Sequence, residues 1–494
     1  MSNISPGLIM LIIVLYFGVL IGISIFTSKK ADNKTFFTAN KNSPWFLVAF
    51  GMIGASLSGV TFISIPGVVG GGGYNQDFSY MQMVFGYLVG YFIIATVLMP
   101  IYYQMNLTSI YGYLGNRFGP ISKKIASGFF LLSRSIGASL RLYLVAIVLQ
   151  KFLMDALGIP FVLTVILTIV LIWVYTFRGG IKTIVVTDTL QTFCLLSAVG
   201  LTIWYIMDAL QLTGISGIIE SINTNGYGQL FFFEEGWNDP NNFWKQFISG
   251  ALIAVVMTGL DQDMMQKNLT CRSLRDAQKN MFVFSIVLVF ANLLFLALGA
   301  LLYIYVGSEG IVMPAISDQL YPTVALENLP TVVGVFFILG LIAAAYSSAD
   351  SALTSLTTAF CVDFLDFEKR DIQSPELKKT RFKVHVGFSL VLLVIIVAFK
   401  YLIDSAAINT LLKAAGYTYG PILGLFTYGI VSKTKIRDRW VIWVCLAAPT
   451  ITFIFDYYSP LWFNGFQFGN TILALNGALT ILGLWVIRHK NSPS

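Results

Sequence analysis

Residues 343–355, AAAYSSADSALTS, set Ser347, Ser348, Asp350, Ser351, Thr354 and Ser355 inside an otherwise apolar stretch. An aspartate at the middle of a membrane helix costs roughly 2.5–3.5 kcal/mol on insertion scales, so such a cluster persists where something polar lies beside it. Hydroxyls with one carboxylate are oxygen ligands of low total charge, which suits a hard cation. On a helix Ala344, Ser347, Ser348, Ser351 and Ser355 are spaced i, i+3, i+4, i+7 and i+11 and line one stripe. The chemistry predicted is the binding of a small alkali cation, sodium first, at membrane depth.

Few other polar groups sit in apolar surroundings. Asp188, in VVTDTLQTF, starts an apolar segment, either as a functional carboxylate or as an N-terminal helix acid favoured by the dipole. Arg134 and Arg141, in LLSRSIGASLRLYLV, are seven apart and share a helix face. A buried arginine pairs with a carboxylate, of the protein or of a substrate. Residues 54–73, GASLSGVTFISIPGVVGGGG, put glycines, hydroxyls and Pro66 mid-span, where a helix is expected to unwind and free its backbone groups. The alternative is a small-residue packing face. GLDQDMMQKN at 259–268 interrupts a second span or marks its end, and KAAGYTYGPILG at 413–424 predicts a kinked or hinged helix.

The elements that position these groups are membrane helices. The chain of 494 residues is 56% hydrophobic and 11% charged, against about 25% charged in soluble domains, and its mean hydropathy is +0.76. Thirteen apolar segments of spanning length have approximate limits 6–27, 44–70, 78–104, 122–155, 159–177, 186–211, 243–265, 280–307, 330–362, 382–402, 404–431, 439–456 and 467–487. The first lacks a basic leader and reads as a retained helix. With the N-terminus outside, 25 of the 31 lysines and arginines fall in inner loops, among them Lys29, Lys30, Arg178, Lys267 and Lys490, while the outer loops carry acids such as Glu220 and Glu235. That asymmetry predicts an N-out, C-in protein of the cell membrane. It also accounts for the net charge of +7 without nucleic acid.

No P-loop, CxxC or HExxH occurs, so neither ATP hydrolysis nor zinc chemistry has residues to carry it, and the chain is not expected to be an enzyme. Cys194, Cys271, Cys361 and Cys445 fall in helices or on the inner side, where no disulfide is expected. The loops, the longest about 212–242 outside and 363–381 inside, are too short for a soluble domain. The outer one, with GYGQLFFFEEGW, is a packed cap or a lid.

The set SLSGVTFISIPG at 56–67, LTSIYGYLGNRFG at 107–119, GGIKTIVVTDTLQ at 179–191, DQDMMQKNL at 261–269 and AAAYSSADSALTS at 343–355 resembles the sodium:solute symporter family. The resemblance covers essentially the whole chain. It implies an all-α membrane protein with a leucine-transporter-type core of two inverted five-helix repeats, in one domain over 1–494. On this mapping 6–27 is an extra N-terminal helix, 44–211 and 243–431 are the repeats, and 439–487 holds two C-terminal helices. The implied general sodium site takes the carbonyls of Gly54, Leu57 and Ala344 and the hydroxyls of Ser347 and Ser348. A second site, similar to that of the sialic acid branch, would take Asp188, Ser347, Asp350 and Ser351, with Asp350 standing where that branch has a serine. At the three polar sugar-contacting positions of that branch this chain has Val84, Gly137 and Ala254, which argues against sialic acid held in the same way. The substrate candidates are Ser56, Ser58, Thr61, Tyr80, Gln82, Arg134, Arg141, Asp261, Gln262 and Tyr417.

The implied function is sodium-coupled import of a small sugar, polyol or organic anion by alternating access. Sodium is the coupling ion, no organic cofactor is needed, and no obligate protein partner is expected. A proton-coupled symporter of the same fold, protonated at Asp188 or Asp350, is the alternative. A sodium ion moved down ~100 mV releases about 2.3 kcal/mol, enough for tenfold accumulation at about 1.4 kcal/mol per decade.

Overall fold

The apolar segments become helices with one break in each of two places, both where glycine and polar residues interrupt the hydrophobic run. The structure is a computed structural model that describes residues 6–27, 33–176, 180–234, 236–370, 374–402 and 407–489. Lys29, Lys30, Arg178, Glu235 and Lys490 of the charge asymmetry, and residues 177 and 404–406 of the expected spans, lie outside the described residues. Helices are α1 (Pro6–Thr27), α2 (Trp45–Ser56), α3 (Gly59–Val68), α4 (Tyr80–Ile93, continuing to Gln104), α5 (Pro120–Leu149) and α6 (Phe161–Thr176). Then follow α7 (Ile181–Ala209), α8 (Phe243–Ala254), α9 (Gln262–Asn268), α10 (Leu274–Ser308) and α11 (Thr331–Ala359). The last are α12 (Pro375–Phe399), α13 (Ala407–Val431), α14 (Val441–Trp462) and α15 (Ile472–Val486).

Among the described residues nine helices are long and apolar enough to cross a membrane, and eleven spans result when each bent pair counts as one. The pairs are α2 with α3, bent by 53°, and Phe243–Gly259 with α9, bent by 67°. The shorter apolar α6 and the 25-residue α13 occupy the two other expected segments. The interruption at 259–268 is therefore a true break and not a helix end. Apolar side chains such as Val14, Leu15, Phe290, Leu390 and Val394 are exposed on the outside of the bundle, as lipid-facing positions require.

α13 runs as one helix through Pro421, so the expected kink or hinge does not divide it into two elements. Its glycines serve packing. A methyl group on Gly416, Gly420 or Gly424 would strike Ile472, Asn476 or Thr480 of α15, so a small-residue seam lets the two backbones close up. Pro421 has no N–H for the carbonyl four residues earlier, and Asn476 Nδ2 donates to that Tyr417 carbonyl at 2.8 Å. Glycine plays the same part between α4 and α8, where Gly86 and Gly250 each face the other helix's backbone.

The segment expected outside, about 212–242, packs as a cap. Phe231, Phe233, Phe243 and Phe247 pack together with ring centroids 4.6–5.9 Å apart. Asn241 then ties the cap to the core, accepting from Asn75 N at 2.8 Å and from Gln82 Nε2 through its carbonyl at 2.9 Å.

Candidate ion and solute site

The break between α2 and α3 falls at Leu57 (φ −79°, ψ 62°) and the extended Ser58. It lies against α11, whose hydroxyl stripe is fully buried. Ser348 Oγ donates to the carbonyl of Ala55 at 3.3 Å, which lies between the expected carbonyls of Gly54 and Leu57. Gly54 is pressed against α7, where a methyl group would collide with Thr192 Oγ1. Thr192 in turn donates to the carbonyls of Phe50 and Asp188 at 2.8 Å each. The structure thus brings the unwound turn and Ser348 together, a carbonyl-plus-hydroxyl set of the kind a sodium ion takes.

Ser347 turns to a different partner. Its Oγ donates to Asp188 Oδ1 at 2.7 Å, and the other carboxylate oxygen holds Lys267 Nζ at 2.7 Å. Lys267 belongs to α9 and is wholly buried. This corrects its reading as an inner-loop charge, because the ammonium is buried in an ion pair, and it corrects Asp188 as an N-terminal helix acid, because it lies two turns into α7. Ser351, one turn after Ser347, donates to Asp263 Oδ1, and Arg134 pairs with Asp263 Oδ2. The expected second set therefore divides: Asp188 and Ser347 meet a lysine, and Ser351 meets an aspartate that sequence reasoning did not single out. Asp350 follows Tyr346, which packs on Phe17 of α1 at 4.8 Å, and so faces away from Asp188.

Above these pairs lies a cavity of about 100 Å³ lined by Ser56, Ser58, Thr61, Tyr80, Arg134 and Arg141 of the expected substrate residues. Tyr87, Tyr91, Thr258 and Asn292 complete its polar wall. Apolar context hid these four, and their helical spacing offered no distinguishing signal. Tyr80 and Tyr87 share a hydrogen bond of 2.9 Å. Arg141 is buried, and its Nε and Nη1 have no hydrogen-bond partner among the described residues.

Four expected substrate residues do other work. Gln82 holds the cap, donating to Asn241 and accepting from Phe232 N at 3.0 Å. Asp261 caps α9 by accepting from Asp263 N at 2.9 Å and Met264 N at 3.1 Å, and it also accepts from Tyr419. Gln262 bonds the loop before α5, accepting from Ile110 N and donating to the Thr108 carbonyl at 2.9 Å each. Tyr417 donates to Asp456 at 2.6 Å, outside the cavity.

The sequence model of the sodium:solute symporter family matches residues 36–435. The chain is 26% identical over 442 residues to the sodium/sialic acid symporter SiaT of Proteus mirabilis, covering 85% of this chain and 83% of that protein. It is 24% identical to a sodium-coupled monocarboxylate transporter 2 of Danio rerio, covering 83% and 65%, and 23% identical to the human sodium/iodide cotransporter, covering 85% and 64%. A solved substrate-bound, outward-open sodium-coupled sialic acid symporter superposes with a TM-score of 0.79 at 21% identity over 97% of both chains. The nucleobase-cation-symport-1 transporter Mhp1 gives 0.54 at 13% identity over 92% and 94%. The fold is thus the leucine-transporter type, all helical and multi-pass, with two inverted five-helix repeats. Sodium is the coupling ion, and the protein is a symporter and not an enzyme. A match that runs through both broken helices and the hydroxyl stripe settles the assignment: the chain belongs to the sodium:solute symporter family.

Proposed function

We propose that this symporter imports a small organic anion and that Arg141 is its anchor. The single observation behind this reading is a buried guanidinium that lines the central cavity, with Nε and Nη1 lacking a hydrogen-bond partner among the described residues. Buried guanidinium N–H groups without acceptors are expensive, and a carboxylate or similar anion would supply them in a two-pronged, charge-assisted geometry. Relatives named for sialic acid, monocarboxylate and iodide all carry anions. Hydroxyls of Ser56, Ser58 and Thr61 and the Tyr80–Tyr87 pair would meet the rest of the solute.

On this reading the first sodium binds at the α2–α3 break with Ser348, near Gly54, Leu57, Ala344 and Ser347. It steadies the unwound turn that also carries Ser56 and Ser58, which couples ion to solute. The repeats run from 44 to 211 and from 243 to 431, each beginning with a broken helix, after the helix 6–27 and before the pair within 439–487. The charge asymmetry supports an N-terminus outside and a C-terminus in the cytoplasm. The relatives are sodium-coupled, which does not favour a proton-driven cycle.

The test is uptake into proteoliposomes under an inward sodium gradient, screening radiolabelled sialic acid, lactate, pyruvate, glucose and inositol. Uptake of anions alone, abolished in Arg141→Gln, supports the reading. Transport of a neutral sugar or polyol at an unchanged rate by Arg141→Gln overturns it.

A further inference from the structure

We infer that Lys267 is a tethered cation that stands in for a second sodium ion, so that one sodium moves per cycle. The inference rests on sodium binding at the first site and concerns a different set of side chains. Asp188 is the carboxylate on which a second ion would depend. Its two oxygens are already taken, one by the Lys267 ammonium at 2.7 Å and one by the Ser347 hydroxyl at 2.7 Å. A separation of 2.7 Å suits an ammonium–carboxylate bond.

The next hydroxyl along the stripe is committed in the same manner. Ser351 donates to Asp263, and Asp263 is neutralised by Arg134. Each serine thus ends on a carboxylate already balanced by a covalently attached cation. The region is charge-neutral before any ion arrives. Asp350 faces α1 and not this pocket, so it adds no charge here.

The placement of Lys267 gives the pair a mechanical role. It sits on α9, the short inner half of the second broken span, and reaches Asp188 on α7, which is bonded to α11. In other words, it joins three elements that meet at the hydroxyl stripe. A free sodium ion would join only α7 and α11, and it would leave with each cycle. Lys267 stays.

The measurement is equilibrium binding of radioactive sodium to the purified full-length protein, by scintillation proximity, without solute. Wild type should bind one ion per chain with no cooperativity, and Lys267→Arg should bind one as well. Lys267→Met exposes the Asp188 carboxylate and should bind two, and Lys267→Met with Asp188→Asn should return to one. Two ions bound by wild type, with one lost in Asp188→Asn, would overturn the inference, and this reading needs no lysine variant to fold. Binding of no ion by wild type would instead sink the first-site reading, so the two failures are distinguishable.

Discussion

Arg134 and Arg141 leave the same helix on the same face, seven residues apart, and among the described residues only Arg134 makes an ion pair. Arg134 pairs with Asp263, which also takes the Ser351 hydroxyl. Arg141, two turns farther along, borders the cavity with Nε and Nη1 unpartnered. Both arginines line the cavity, and the ion pair engages one of them. Beneath it every carboxylate that accepts from a stripe serine is balanced by a tethered cation, and the region is a closed set of ion pairs joining α5, α7, α9 and α11. Arg141 makes no ion pair among the described residues and borders a space of about 100 Å³ with hydroxyls around it. Local sequence makes the two arginines equivalent, and the neighbours that pack against them place one in an ion pair and leave the other as the anchor proposed for the solute.

The sharpest break of this contrast is Arg134→Gln. It leaves Asp263 buried without a counter-charge, a loss of about 3–5 kcal/mol, read as a fall in the melting temperature of the purified protein. Adding Asp263→Asn should recover much of it, and a wild-type melting curve for the single variant would make the pair incidental. Arg141→Gln should do the reverse. Its melting temperature should not fall, while half-saturation for an anionic solute should rise by at least tenfold, since a lost charge-pair contact costs about 2–5 kcal/mol.

Ser348→Ala removes one hydrogen bond to the Ala55 carbonyl, about 1 kcal/mol. The sodium concentration for half-maximal uptake should then rise roughly fivefold, with protein levels in the membrane unchanged. The smallest effect should come from Tyr417→Phe, which breaks a bond to Asp456 outside the cavity at a cost below about 1 kcal/mol. Unaltered solute affinity in uptake assays is expected there, and a large loss would return Tyr417 to the cavity wall.

Much of this architecture could be read from the chain. Thirteen apolar segments, the small-residue break at 56–58 and the hydroxyl stripe of α11 reflect local rules, namely span length, helix-breaking composition and helical periodicity. Polar positions in the interior were legible as polar but not as to use. Gln82, Asp261, Gln262 and Tyr417 resemble cavity residues in one dimension, and in three they cap a helix, fasten a loop or anchor the outer cap. Tyr87, Tyr91, Thr258 and Asn292 went the other way, because an isolated polar group on a long apolar helix carries no sign of which neighbour it will face.

Lys267 marks the boundary most clearly. From sequence it belongs with Arg272, Arg275 and Lys279 as part of a basic inner loop. Its burial follows from the 67° turn at Leu260–Asp261, which swings α9 beneath α7 and brings the ammonium to a carboxylate 79 positions away. The amino-acid order by itself determined a hydroxyl-striped helix, a broken partner helix and the membrane frame around them. Only the packing of distant helices decided which carboxylate faces which cation, because a charge pair in a low-dielectric interior is fixed by separation in space, and separation along the chain carries no information about it.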